Sequence, residues 1–386
     1  MLKTISISNY TTFIKKRTLD FTASKYTFLE DDNVGSSNIL KGALLVGENA
    51  SGKTNALKAI RFLIQAFVGV NTVDFFGMKS FYTEKPNYEL RYVFVIDEKE
   101  IEYAIICTSA GYKKEELYID NQQYFVRNER GVIITKNGNA AEQHEPVSSN
   151  LLFLRSLFFD TGFSDNPVLA KWAQFLQQSL YINCHDHALE GNPTIINALA
   201  TNQYLEMHGT QEINNFFKNI RYKQKIYFAD TVKNKNATFR SDERFLSFEK
   251  DGTDTKIPMR YESNGNQSLI PILLAFIHAT KNNCMLVVDE FSSDLHNELE
   301  ECLVKYFFKK SRDSQLFFTT HSTNVLDTRL LRPDQVFSVK FDGANGTVLK
   351  RFSERQPMPR FAQNLEHMYL NGEFDGKPYY DFTFAN

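Results

Sequence analysis

The chain has 386 residues, 42% of them hydrophobic and 14% aromatic, with 34 phenylalanines. That is enough apolar side chain for a sizeable core in one large domain or two to three smaller ones, and it excludes wholesale disorder. A formal net charge of −2 excludes a global basic field for nucleic acid, so any such binding needs a local patch. Cys107, Cys184, Cys284 and Cys302 form no CxxC pair and read as free thiols of a reducing cytosol. The N-terminus has no apolar h-region, and no run of about 18 apolar residues occurs. The expectation is a soluble, unexported, cytoplasmic protein without a membrane partner.

In chain order, residues 2–9 alternate apolar and polar and predict a strand. A strand end and loop cover FTASKYTFLEDDNVGSSN. Residues 42–46 (GALLV) are an apolar run suited to a buried parallel strand, and 53–68 carry Leu57, Ile60, Leu63, Ile64 and Phe67 on one helical face. Residues 87–135 predict a meander of antiparallel strands, and 136–150 a polar boundary loop. From 151 to 222 the pattern is helical in short pieces, including NPVLAKWAQFLQQSLY as one unit. Strand returns over 243–261 with a turn at Asp251-Gly252. Helix 267–281, strand 284–288, helix 294–310 and strand 315–319 follow, and 334–341 and 346–352 form a final hairpin.

The expected fold is therefore α/β, a parallel-sheet core with an antiparallel β meander and a helical insertion, and the G-x-x-x-x-G-K-T run at 47–54 makes that core a P-loop NTPase. Residues 1–78 and 244–386 form the core from both chain ends. Residues 79–150 are the meander, and 151–243 a mainly helical insertion for lid, partner or oligomer contacts.

Gly47-Glu48-Asn49-Ala50-Ser51-Gly52-Lys53-Thr54, followed by Asn55, fits G-x-x-x-x-G-K-[ST]. Glycines let several backbone N–H groups point at one anion, and the helix start adds its positive end. Lys53 suits the β- and γ-phosphates, and Thr54 suits Mg²⁺. The strand ending Asp289-Glu290 places two acids where α/β sheets bind ligands. Asp289 is suited to Mg²⁺, and Glu290 to activating water. His321 in Thr319-Thr320-His321-Ser322 ends a third strand, where it could reach a γ-phosphate. Ser263 and Gly265 open helix 267–281 and read either as a plain N-cap or as a second anion site facing another subunit's nucleotide.

GENASGKT, ESNGNQS, VVDEFSSDLH and TTHS, in that order, resemble an ABC-type ATPase head. More narrowly, the chain resembles the AAA-named ATPases of the OLD and abortive-infection class, relatives of RecF and SMC heads. ISISNYTTF and HMYLNGEFDGKPYYDF, at the two ends, look like that class as well. The resemblance implies Walker A at Gly47, Asn49, Gly52, Lys53 and Thr54, and Walker B at Asp289 and Glu290. It implies a D-loop at Ser293-Asp294-Leu295-His296, a switch histidine at His321, and a signature at Ser263 and Gly265. Such heads sandwich two ATP molecules between two subunits. Asn264 stands where transporter-type signatures carry glycine, and the glutamine of the usual Q-loop has no assignable position. No long coiled coil and no Toprim-like acid cluster is present, so a tether and a fused nuclease are not expected.

Lys218, Arg221, Lys223, Lys225, Lys233, Lys235 and Arg240 cluster with a single acid, Asp230, and interleave with Phe217, Tyr222, Tyr227, Phe228 and Phe239. Residues 218–240 could track nucleic acid, form a solvated face or meet an acidic protein. Adjacent Cys184-His185-Asp186-His187 cannot all converge on one ion, so structural zinc is not expected. Taken together, the residues and the resemblance imply an ATP- and Mg²⁺-dependent ATPase working as a homodimer or higher oligomer. The class suggests bacterial antiphage defence with a separately encoded effector or nuclease. A RecF-like DNA-repair ATPase and a nucleotide-bound scaffold are the alternatives.

Overall fold

Apolar runs and strict alternation sort the strands into two kinds of sheet. The computed structural model describes residues 1–69, 73–136, 139–293 and 295–377. It begins with β1 (Leu2–Ser8), β2 (Arg17–Asp20), α1 (Glu30–Asn33), β3 (Gly42–Gly47), α2 (Lys53–Val68) and α3 (Phe75–Met78). The meander follows as β4 (Tyr88–Ile96), β5 (Lys99–Thr108), β6 (Gly111–Ile119), β7 (Gln122–Asn128), β8 (Gly131–Lys136) and β9 (Asn139–His144). Helices α4 (Phe153–Thr161) and α5 (Pro167–Gln178) lead to β10 (Leu180–Asn183) and β11 (Ala188–Gly191). Then come α6 (Pro193–Leu199), α7 (Thr201–His208), α8 (Gln211–Asn219), β12 (Gln224–Lys233), β13 (Thr238–Lys250) and β14 (Lys256–Pro258). The chain continues through α9 (Asn264–Lys281), β15 (Met285–Asp289), α10 (Asn297–Lys310), β16 (Gln315–Thr319), β17 (Val336–Phe341), β18 (Thr347–Arg351) and α11 (Leu365–Leu370).

The central sheet has the order β11-β10-β15-β16-β3-β17-β18. Its five inner strands are parallel, and β11 and β18 are antiparallel edges. A parallel sheet covered on both faces needs apolar residues at every position, and β15 and β16 are buried throughout. Alternation divides these residues between two cores. Ala43, Leu45, Met285, Val287 and Phe317 face α2, α4, α5 and the meander. Leu44, Val46, Leu286, Val288, Leu316 and Phe318 face α9 and α10. The second sheet, β2-β1-β4-β5-β6-β7-β8-β9, is antiparallel. Helix α2, buried along most of its length, packs between the two sheets.

Local chemistry sets several boundaries. Asn166 and Asn192 accept backbone N–H bonds as N-caps, each followed by proline at the first helical position. Glu115 lies 0% exposed in β6 and accepts N–H bonds from Phe153 and Leu154 at the start of α4. It also pairs with buried Arg127 at 2.7 Å. One carboxylate thus joins the meander to the helical segment. Helix α4 in turn sends Arg155 to the Gly69 carbonyl at the end of α2, at 2.7 Å.

The structure departs from the expected elements at definite places. The unit NPVLAKWAQFLQQSLY ends its helix at Gln178, and Leu180–Asn183 is a strand beside β15. Four residues are too few for a period to show. The 136–150 loop contains β9, although Asn137 and Gly138 lie outside the described residues. The 151–243 segment is not helical throughout: it holds β10, β11, β12 and the start of β13. In β12 the buried face is only Ile226 and Val232, too sparse an alternation to stand out. Helix 267–281 begins earlier, at Asn264, and helix 294–310 later, at Asn297. Asp294 and residues 378–386 lie outside the described residues, so part of the expected D-loop and the end of HMYLNGEFDGKPYYDF do too. Among the described residues, no helix is long and apolar enough to cross a membrane.

Candidate functional site

The loop between β3 and α2 is shaped by backbone conformations and close approaches. Ala50 has φ +60° and Gly52 φ +107°. A Cβ at Gly47 would lie 2.2 Å from the Val339 carbonyl of β17. One at Gly52 would lie 2.2 Å from Thr347 Oγ1 and 2.8 Å from Thr12 Oγ1. Only glycine fits under those two threonines. Thr347 Oγ1 is 2.7 Å from Thr12 Oγ1 and 3.0 Å from the Ser51 carbonyl, and Asn55 Nδ2 donates to Thr12 Oγ1 at 3.0 Å. The two ends of the chain therefore clamp the back of the loop.

Lys53 folds over the loop and donates from Nζ to the carbonyls of Gly47 and Glu48, both at 2.8 Å. Burial lowers the Lys53 pKa, opposed by the charges of Asp289, Glu290 and Glu48. The Ser51 hydroxyl is buried with no hydrogen-bond partner among the described residues. Glu48 and Gly47 are half-buried, and Asn49 and Ala50 are exposed.

The acid pair reaches this loop. Thr54 Oγ1 donates to Asp289 Oδ1 at 3.2 Å. The Thr319 hydroxyl at the end of β16 donates to the same oxygen at 2.6 Å and accepts the Glu290 N–H at 2.9 Å. Asp289 is 1% exposed. Glu290 takes φ +54°, a left-handed conformation that costs a non-glycine residue roughly 1–2 kcal/mol. The strand ends there, so strand alternation does not separate the two acids, and both charges act on Lys53.

Tyr181 and its neighbours were not legible as part of the site. The Tyr181 hydroxyl donates to Asp289 Oδ2 at 3.4 Å. Burial, and then the Asp289 charge, raise its pKa and keep it a donor. Arg61 of α2 lies over the Tyr181 ring at 4.8 Å and makes a bidentate pair with Glu190 of β11, both contacts 2.6 Å. Thr12 and Thr319 stand in the stretches ISISNYTTF and TTHS without a role readable from them, and Thr347 stands in no motif. For Tyr181 the sequence signal is the short run LYIN, hidden at a helix end.

The other expected residues are placed less directly. The His321 N–H donates to Ser292 Oγ at 3.1 Å, which sets it beside the turn after Glu290, with its side chain exposed. Ser263 is the exposed N-cap of α9, its Oγ accepting the Asn266 N–H at 3.5 Å, with Gly265 in the first turn. Among the described residues, no hydrogen bond or ion pair links Ser263 or Gly265 to residues 47–55 of the same chain. The basic stretch becomes mixed in charge once β12 pairs with β13. Lys225 stands opposite Glu249, and Lys256 lies 3.3 Å from the same carboxylate. Phe217 is a core residue at 0% exposure.

Comparison with known proteins agrees with this fold. The fold is similar to the SMC head domain from Thermotoga maritima, at 17% identity and a TM-score of 0.50, covering 91% of this chain and 98% of that one. It is also similar to an SMC head solved bound to the C-winged helix domain of ScpA, at 13% identity and a TM-score of 0.52, covering 92% and 99%. No curated protein matches the sequence. These matches do not single out the OLD class. Residues 43–160 and 201–327 match the family described as "AAA domain, putative AbiEii toxin, Type IV TA system". The chain, with the fold of an ABC-type ATPase head, belongs to that family of AAA-domain proteins.

Proposed function

We propose that the chain is an ATP-binding and ATP-hydrolysing switch that works as a dimer or higher oligomer. The observation that carries this reading is the bond from Thr54, at the start of α2, to Asp289, at the end of β15, with the Asp289 charge also acting on Lys53. Residues 47–55 wrap the phosphates with backbone N–H groups, and Lys53 exchanges its two loop carbonyls for phosphate oxygens. The donor set suits Mg²⁺. Thr54 and Asp289 offer hard oxygens 3.2 Å apart. Among the described residues, no group of three or more His, Cys, Asp or Glu forms a protein cage, as expected of a cation that shares its ligands with phosphates and water. When bound, the cation supplies neutralisation of phosphate charge. Glu290 takes the proton of the attacking water, and His321, at the end of the next strand, senses the γ-phosphate.

Ser263 and Gly265, on an exposed helix start without bonds to their own P-loop, suit a nucleotide held by a second copy. The family description and the resemblance support a role as the ATPase component of bacterial antiphage defence that controls a separate effector or nuclease. Nucleotide binding and hydrolysis by the purified chain test the reading. Lys53→Ala should lose ATP binding, and Glu290→Gln should bind ATP but turn it over at roughly a hundredth of the wild-type rate or less. Mixing Ser263→Arg with Lys53→Ala should restore one composite site per dimer. Wild-type binding and turnover in both single variants would refute the assignment.

A further inference from the structure

Strand β10 brings a second side chain to the acid pair through the loop that follows it. Asn183 is in register with Asp289, and the Cys184 N–H donates to the Asp289 carbonyl at 3.0 Å. Asn183 and Asp186 then close the loop on themselves. Asn183 Nδ2 donates to Asp186 Oδ2 at 2.6 Å, and the Asp186 N–H donates to Asn183 Oδ1 at 3.2 Å. His187, at φ +49°, turns the chain back, with its Nδ1 3.5 Å from Ser268 Oγ on α9. Between these anchors stands His185, whose Nδ1 lies 3.9 Å from Glu290 Oε2.

A separation of 3.9 Å is too long for a hydrogen bond but is spanned by one water with two contacts of about 2.8 Å. The Glu290 backbone is already fixed, because its N–H is held by the Thr319 hydroxyl. The side chain is half-exposed and pressed by no other described ion pair. Something must aim it if it is to act as a base, since a carboxylate free to rotate is poorly placed for proton transfer.

We propose that His185 is a positioning residue for Glu290, holding its carboxylate from β10 through one shared water. This rests on the ATPase reading above. His185 is itself largely exposed, with 72% of its side chain open, so replacing it leaves the fold intact. That makes kinetics a clean readout.

The test is steady-state ATP hydrolysis by the full chain with Mg²⁺. His185→Ala should lower kcat roughly tenfold or more while KM for ATP stays within about twofold. His185→Gln, which keeps a polar group of similar reach, should recover most of the loss. Adding His185→Ala to Glu290→Gln should cost nothing further, because the partner it aims is gone. Wild-type kcat in His185→Ala overturns the inference, and so does a loss that adds in full on the Glu290→Gln background. The ATPase reading fails separately, and the inference with it, if Lys53→Ala and Glu290→Gln hydrolyse ATP as the wild type does or if the wild type hydrolyses none.

Discussion

Glu115→Ala should destabilise the whole chain. The carboxylate is 0% exposed and accepts four bonds: from Tyr103 at 2.7 Å, Arg127 at 2.7 Å, and the N–H groups of Phe153 and Leu154 at 2.9 and 3.2 Å. Alanine leaves the Arg127 guanidinium, 2% exposed, with the Val147 and Ser148 carbonyls as its remaining hydrogen-bond acceptors among the described residues. Removing one partner of a buried pair costs about 3–5 kcal/mol. At about 2.1 cal/mol/K per residue, 386 residues give an unfolding entropy near 0.8 kcal/mol/K, so Tm should fall by about 5 °C. Thermal unfolding followed by circular dichroism measures this directly. Pairing Glu115→Leu with Arg127→Met should lose less than the sum of the two singles, because no charge is then stranded. A Tm within about 1 °C of wild type in Glu115→Ala would show that the carboxylate is not the joint between meander and helices.

Three further outcomes follow from the site and its surroundings. Gly52→Ala must place a Cβ 2.2 Å from Thr347 Oγ1 at φ +107°. The left-handed strain alone is about 1–2 kcal/mol, so titration calorimetry should show nucleotide affinity reduced at least about tenfold. Unchanged affinity would mean the loop relaxes freely. Asp289→Asn keeps the bonds from the Thr54 and Thr319 hydroxyls but loses the charge, so half-saturation of nucleotide binding should need about tenfold more Mg²⁺. An unaltered Mg²⁺ requirement would remove Asp289 from the cation site.

Glu300 of α10 is 0% exposed, and neither oxygen has a hydrogen-bond partner of good geometry among the described residues. Burial raises its pKa from 4.5 to about 7, and the neighbouring Thr320 hydroxyl offsets only part of this. Between those values the folded chain keeps a proton that the unfolded chain has lost. Its contribution is therefore full below about 4.5 and is lost as pH rises towards 7, by an amount on the order of 3 kcal/mol. Glu300→Gln should be more stable than wild type at pH 8 and show a flatter Tm profile from pH 5 to 8. Parallel profiles for the two proteins would contradict this account.

Much of the site is legible along the chain because its parts are local. Residues 47–55 are one turn and one helix start, and their types alone predict a phosphate loop. The buried strands β3, β15 and β16 announce themselves as apolar runs because both of their faces are covered. Helix α9 could be read from its apolar content and its Ser263 cap, but its first turn, NGN, could not, because three polar or small residues precede the apolar run that marked the expected start. The basic stretch could be read only along its own strand. Charge read along one strand says nothing of the partner strand, and Glu249 lies 24 positions beyond Lys225 while facing it directly.

By itself, the sequence determined the phosphate loop, the order of the motifs and the α/β class, since each depends on residues a few positions apart. Tertiary structure alone decided which side chains surround the loop. Tyr181 meets Asp289 across 108 positions, and Thr12 meets Thr347 across 335. It also decided that four residues after α5 become a strand of the central sheet and carry His185 to Glu290. A four-residue segment has too few positions to reveal a period. Its conformation comes from the β15 edge it completes, and that edge exists only once the chain has folded.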